Sequence, residues 1–276
     1  KVELLPVEFK MKHSMLGYRG SIHYLKDAFT SFYGSVSQGY KSGGVNQQPY
    51  LSDTSRPFDP EFIQNFEVGF KHLKNNYRSQ LSAFYGNRTD QQVSVSSQQI
   101  VGDPNSFLYY TGNAGSGTIQ GFEWENMLNI TSNFSMDASL GYLKTWVNKF
   151  IYQENYEMEG YGGDREAAMS PKMTGSVGFN YENKSGFFSS ATLNFKDEYY
   201  FSDSHNQKSK PYTLLNINFG KSFGKTTATL WIRNALDEHY ATRGFYFGLI
   251  PPDYPDQLWK SYGDPRQIGV TIGYTF

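Results

Sequence analysis

Residues 267–276 alternate without a break. Ile268, Val270, Ile272, Tyr274 and Phe276 hold one parity, and Gln267, Gly269, Thr271, Gly273 and Thr275 the other. A period of two is the signature of a strand with unlike faces, and it is incompatible with a helix. The pattern recurs upstream. Phe134, Met136, Ala138, Leu140 and Tyr142 oppose Ser135, Asp137, Ser139 and Gly141; Phe66, Val68 and Phe70 oppose Asn65, Glu67, Gly69 and Lys71. Phe122, Trp124, Leu128 and Ile130 sit against Glu123, Glu125 and Asn129, and segments 173–181, 187–195 and 228–232 repeat the division.

Any half-buried strand alternates, so the residues on each face decide the reading. One face carries Phe, Tyr, Trp, Leu and Val, with Tyr and Trp near the strand ends. The other carries Gly, Ser, Thr, Asn and isolated charges. A soluble sandwich would make its apolar face smaller and more aliphatic, whereas a wall between lipid and a polar lumen requires this division. Composition agrees. Aromatics are 17% of the 276 residues and charged residues only 18%, yet mean hydropathy is negative. No run approaches the ~18 apolar residues of a membrane helix. Formal net charge of −1 leaves no footprint for nucleic acid, and the absence of Cys removes disulfides, thiolate nucleophiles and Cys-held metals. Abundant Tyr and Phe argue against disorder.

Short polar breaks fall at 26–27, 74–76, 131–133, 182–186 and 223–225, and longer irregular stretches at 41–60, 99–117, 148–168, 201–210 and 237–263. Tight turns alternating with long loops are the rhythm of a transmembrane barrel, with short periplasmic and long extracellular connections. The segments add up to about eleven strands, from 16–24 to 269–276. Single-chain barrels have an even number of strands and both ends in the periplasm. An odd count that ends in the periplasm starts outside, so residues 1–276 are expected to be the C-terminal part of a longer barrel, with no separate soluble domain.

Particular motifs carry a family resemblance. Gly39-Tyr40-Lys41-Ser42-Gly43-Gly44-Val45-Asn46 follows a strand, and Pro60-Glu61 opens the strand running to Lys71. Arg233-Asn234-Ala235-Leu236-Asp237-Glu238-His239-Tyr240 closes the penultimate strand. Gly263-Asp264-Pro265-Arg266 precedes the last one, which finishes Gly273-Tyr274-Thr275-Phe276. In this order and spacing the chain resembles the C-terminal half of a TonB-dependent outer-membrane receptor. The resemblance implies an all-β antiparallel barrel of about 22 strands with a plugged lumen. It also implies an N-terminal plug, not in this chain, that meets the TonB complex, and residence in the bacterial outer membrane among lipid and lipopolysaccharide. Tyr274 and Phe276 resemble the terminal aromatic signal read by the barrel-assembly machinery.

Catalytic constellations are thin. The 5 His fall in no H-E-x-x-H spacing, and Gly43-Gly44 lacks the spacing of a phosphate loop. Asp203-Ser204-His205 and Asp237-Glu238-His239 read as solvated loop residues. No cofactor and no resident metal are expected, and no enzyme activity. The long stretches instead carry Tyr109, Tyr110, Tyr156, Tyr161, Arg165, Tyr200, Arg243, Phe245, Tyr246 and Trp259. Rings that stack and guanidinium forks that bind oxyanions suit an anionic, partly aromatic chelate. By the resemblance that chelate is a ferric siderophore or a similar scarce metal complex, with Arg165 and Arg243 the preferred contacts. Glu67, Glu123, Glu125, Arg19 and Arg233 are expected on the lumen face. Tyr and Trp near strand ends also suit an interfacial girdle, and a passive porin remains the alternative function.

Overall fold

The computed structural model describes residues 8–48, 51–100, 103–153 and 160–276; for 96–99, 151–153 and 160–162 it describes the backbone alone. Alternating segments pair into one 11-stranded antiparallel sheet. In sheet order these are β1 (Tyr18–Leu25), β2 (Thr30–Lys41), β5 (Glu61–Lys74), β6 (Tyr77–Ile100), β7 (Asp103–Asn129) and β8 (Phe134–Val147). The sheet continues with β11 (Met173–Glu182), β12 (Phe187–Lys196), β13 (Tyr212–Phe223), β14 (Thr226–Arg233) and β17 (Gln267–Tyr274). Each long connection but two holds a further hairpin: β3 (Gly44–Val45) with β4 (Pro57–Phe58), β9 (Phe150–Gln153) with β10 (Gly160–Gly162), and β15 (Ala241–Phe247) with β16 (Gln257–Tyr262). The expected short turns all fall between sequential strands on one edge of the sheet. Among the described residues β1 and β17 each pair on one side only, so the curved wall is open.

Register places every apolar parity on one surface. Tyr24 faces Phe32, Phe32 faces Phe70, Phe70 faces Leu81, Leu81 faces Trp124 and Trp124 faces Leu140. Directly opposed residues share a face, so this row crosses six strands on the outside of the wall. Ile22, Val68, Ile268, Val270 and Ile272 are each more than 60% exposed. At roughly 1.5–3 kcal/mol each, leaving such side chains in water would cost about 10 kcal/mol, as much as a domain's whole net stability. Lipid removes that cost.

The other surface is polar. Ser35 faces Glu67, Ser82 faces Glu123 and Ser139 faces Ser176, placing Glu67, Glu123 and Glu125 on the lumen face with Arg19 and Arg233. Tyr33 donates its hydroxyl to Glu67 at 2.7 Å, and its ring lies across Gly69 where any Cβ would overlap it. Trp231 lies likewise across Gly269, donates to Thr271 Oγ1 at 3.2 Å, and is covered by the Arg233 guanidinium at 5.2 Å. Glycine on the lumen face thus makes room for flat rings.

One expected loop is strand. Instead of an irregular stretch over 99–117, β6 and β7 stay paired from Gln91↔Ala114 to Ile100↔Asp103, beyond the last partners that β5 and β8 offer. This extension projects roughly 30 Å past the rim. Asp90, at φ 52°, marks its point of departure. Alternation was visible there in Val93, Val95, Phe107 and Tyr109, but polar neighbours and glycines masked it.

Candidate functional site

Buried hydrophobic side chains collect above the wall, at the end of the long connections. Val93, Val95, Ala114, Val147 and Phe150 form one cluster, with Tyr110 and Ala167 packed against it. The β6–β7 extension needs this support, because an isolated two-stranded hairpin is marginal in water. The 42–60 connection stitches its flank. Asn46 Nδ2 donates to the Thr111 carbonyl at 2.8 Å while the Thr111 amide donates to Asn46 Oδ1 at 2.9 Å, so one side chain imitates a strand pairing. Asn113 makes the same reciprocal pair with Asp59. Below them Arg88 holds Glu61 through Nε at 2.7 Å and through Nη2, and Glu61 also accepts the Gln92 amide at 2.9 Å.

A second network joins the 148–172 and 197–211 connections. Arg165 is 9% exposed; its Nη2 donates to the Ser202 carbonyl at 2.7 Å and the His205 carbonyl at 3.0 Å. Its guanidinium lies 3.9 Å from the Tyr200 ring centre, and Lys208 Nζ lies 4.4 Å from the same ring. His205 accepts the Gln207 amide on Nδ1 at 3.2 Å, bonds the Gly244 backbone and packs its ring 5.8 Å from that of Tyr246. Burial, reinforced by the Arg165 charge, pushes its pKa down to about 4. The imidazole is therefore neutral at physiological pH, and it pins the β12–β13 connection to β15.

Between these networks lies a cleft of about 430 Å³. The β6–β7 extension contributes Ser94, Phe107 and Tyr109; the 148–172 connection contributes Ala168 and Met169. Phe201, Asp203 and His205 form another side, and Arg243, Phe245 and Tyr246 of β15 close it. Arg243 and Phe245 are exposed, and Asp203 is turned to cap the Ala168 amide at 3.1 Å. A neighbouring groove of about 440 Å³ shares Phe107, Tyr109, Phe245 and Phe247 and runs on to Pro104, Gly248 and Leu249.

The match to known families decides the assignment: residues 7–235 fit the family described as TonB dependent receptor-like, beta-barrel. The chain belongs to that family. Its wall is therefore outer-membrane barrel wall, and the long connections that carry the cleft are the extracellular ones. Among curated proteins, the "Pesticin receptor" of Yersinia pestis is 22% identical over 219 residues, covering 78% of this chain and 30% of its own length. Among solved structures, the ferric yersiniabactin uptake receptor FyuA from Yersinia pestis superposes with a TM-score of 0.74 at 18% identity, covering 94% of this chain and 37% of that one. The siderophore receptor PiuA from Acinetobacter baumannii gives 0.71 at 17% identity, covering 94% and 35%. The receptor chain thus spans about a third of the length of the relatives it matches.

Of the residues singled out from sequence, Tyr109, Arg243, Phe245 and Tyr246 meet in the cleft. Arg165 and Tyr200 are engaged with one another, and Tyr110 packs on the hydrophobic cluster. Trp259 faces Phe245 across the β15–β16 ladder and donates Nε1 to the Phe247 carbonyl at 3.1 Å, which braces the hairpin. Tyr156 lies outside the described residues, as does the side chain of Tyr161, whose backbone belongs to β10. Tyr274 and Phe276 stack edge to face at 5.3 Å at the end of the wall. Phe107 and Phe201 were not singled out, and Asp203-Ser204-His205, expected to be solvated, is drawn into the cap instead, with Ser204 5% exposed and the His205 ring packed near Tyr246. Phe107 with Tyr109 and Phe245 with Phe247 obey period two, so alternation inside the long connections was the missed signal. His205 had none.

Proposed function

We propose that this chain forms part of a receptor that captures a scarce metal chelate, such as a ferric siderophore, for uptake energised through the TonB complex and an N-terminal plug. The observation that carries this reading is the cleft: an exposed Arg243 set among Phe and Tyr rings where extracellular connections meet. Rings offer stacking surface to flat ligating groups. The guanidinium offers a rigid fork to the oxyanions of a chelate. With His205 neutral, Arg243 is the cation among the described residues that line the cleft, while nearby Arg165 is committed to carbonyls and Lys208 to Glu198. The relatives, a pesticin receptor, a ferric yersiniabactin uptake receptor and a siderophore receptor, support the same class. No covalent bond of the ligand is made or broken in this reading.

The test is fluorescence quenching of the full-length receptor, reconstituted in lipid nanodiscs, by a panel of ferric chelates with hydroxamate, catecholate and carboxylate ligating groups. At least one is expected to bind with Kd below 1 μM, and Arg243→Ala to weaken it about tenfold, the loss of one charge-assisted hydrogen bond. Ion conductance with no chelate binding would favour a passive channel instead.

A further inference from the structure

The groove beside the cleft differs from it in kind. Among the described residues its walls are Pro104, Phe107, Tyr109, Phe245, Phe247, Gly248 and Leu249, and the Tyr109 hydroxyl is the one polar side-chain group of these seven. Two backbone groups along it are spent elsewhere. The Phe247 carbonyl accepts from Trp259, and the Gly248 amide is taken by the Asp256 carboxylate. Phe107 and Phe247 already satisfy one another edge to face at 5.9 Å. At the end away from the cleft the surface is aliphatic, with Leu249 half exposed. Among the described residues there, no side chain is placed to reward a charged group, which would give up its water without a partner. Phe107, Tyr109, Phe245 and Phe247 line both spaces, so the groove and the cleft adjoin.

We propose that the ligand of this receptor is amphiphilic: a polar head carrying the metal sits against Arg243, and an acyl chain attached to it lies in the groove, ending at Pro104 and Leu249. This rests on the reading of the cleft as a chelate site. The chain supplies affinity that a head group alone lacks, because each methylene removed from water tightens binding about fourfold until the groove is full.

The test uses the full-length receptor in nanodiscs, since detergent would itself occupy the groove, with empty nanodiscs as the control for partitioning. The probes are one ferric trihydroxamate without a chain, the same chelate N-acylated with six and with ten carbons, and metal-free N-acylglycines of the same lengths. Affinity is expected to climb steeply along the acylated series. Leu249→Asp should abolish the climb while leaving the chainless chelate unchanged, and Leu249→Trp, which fills the groove, should do the same. A flat series, or a climb that both variants leave intact, overturns the inference. Chainless chelate that binds beside a flat series sinks the acyl chain and leaves the chelate site standing. Chain-dependent, Leu249-sensitive binding of the acylglycines with no binding of any ferric chelate does the reverse.

Discussion

The Arg165 guanidinium lies over the Tyr200 ring, 3.9 Å from its centre, and donates to the carbonyls of Ser202 and His205. Two residues whose types suit an anionic ligand are thereby consumed in holding one extracellular connection to another. Arg165→Ala is expected to leave those carbonyls without their charged donor, at a cost of about 3 kcal/mol, and to loosen the 197–211 segment. Limited proteolysis would show faster cleavage there while heat-modifiable migration of the barrel stays unchanged. Arg165→Lys should not restore protection, because a point charge replaces neither the fork nor the stacking.

Glu61 and Arg88 make the equivalent bond under the β6–β7 extension, with the Glu61 side chain 9% exposed and that of Arg88 28%. Removing one partner strands the other, at about 3–5 kcal/mol, whereas replacing both costs less. Glu61→Gln and Arg88→Met are each expected to raise hydrogen exchange along the extension, and the double variant to exchange more slowly than either single one.

His205 makes the cap sensitive to acid. Its pKa falls from the ordinary 6.5 to about 4, so the folded connection prefers the neutral ring. A base whose folded pKa is depressed contributes stability that is complete above about 6.5 and is lost as pH falls toward 4, where the unfolded segment binds the extra proton. Protease resistance of the 197–211 segment should therefore be flat from pH 8 to 7 and fall between 6.5 and 4. His205→Gln should flatten the profile.

Phe107 packs edge to face on Phe247. Phe107→Ala removes a ring shared by the cleft and the groove, and with it the edge-to-face pair worth about 1 kcal/mol. Ligand affinity is expected to drop at least fivefold, while Phe134→Ala on the lipid face leaves it unchanged. Isothermal titration of both variants against one ferric chelate decides the matter.

Tyr274 and Phe276 end the wall as a ring pair open to the surroundings, Phe276 wholly so. If the barrel-assembly machinery reads this end, deleting Phe276 lowers the amount of heat-modifiable barrel recovered from outer membranes several-fold. Unchanged recovery would remove that role.

Alternation made the barrel wall legible before any coordinates. Each strand from β1 to β17 in the sheet shows its lipid parity locally, because a wall one residue thick leaves every side chain either outside or inside. The short turns were equally plain, since they are written in runs of Asn, Ser, Lys and Gly next to the strands they join. The cap was not. Whether Arg165 serves a ligand or a neighbouring carbonyl depends on where residues 202 and 205 come to rest, some 40 positions away. Tyr109 and Phe245 line one groove only because two hairpins far apart in the chain come together. Local periodicity is a property of consecutive residues, and the wall needs nothing more. A binding cleft is made of contacts between distant segments, and those exist only once the chain has folded.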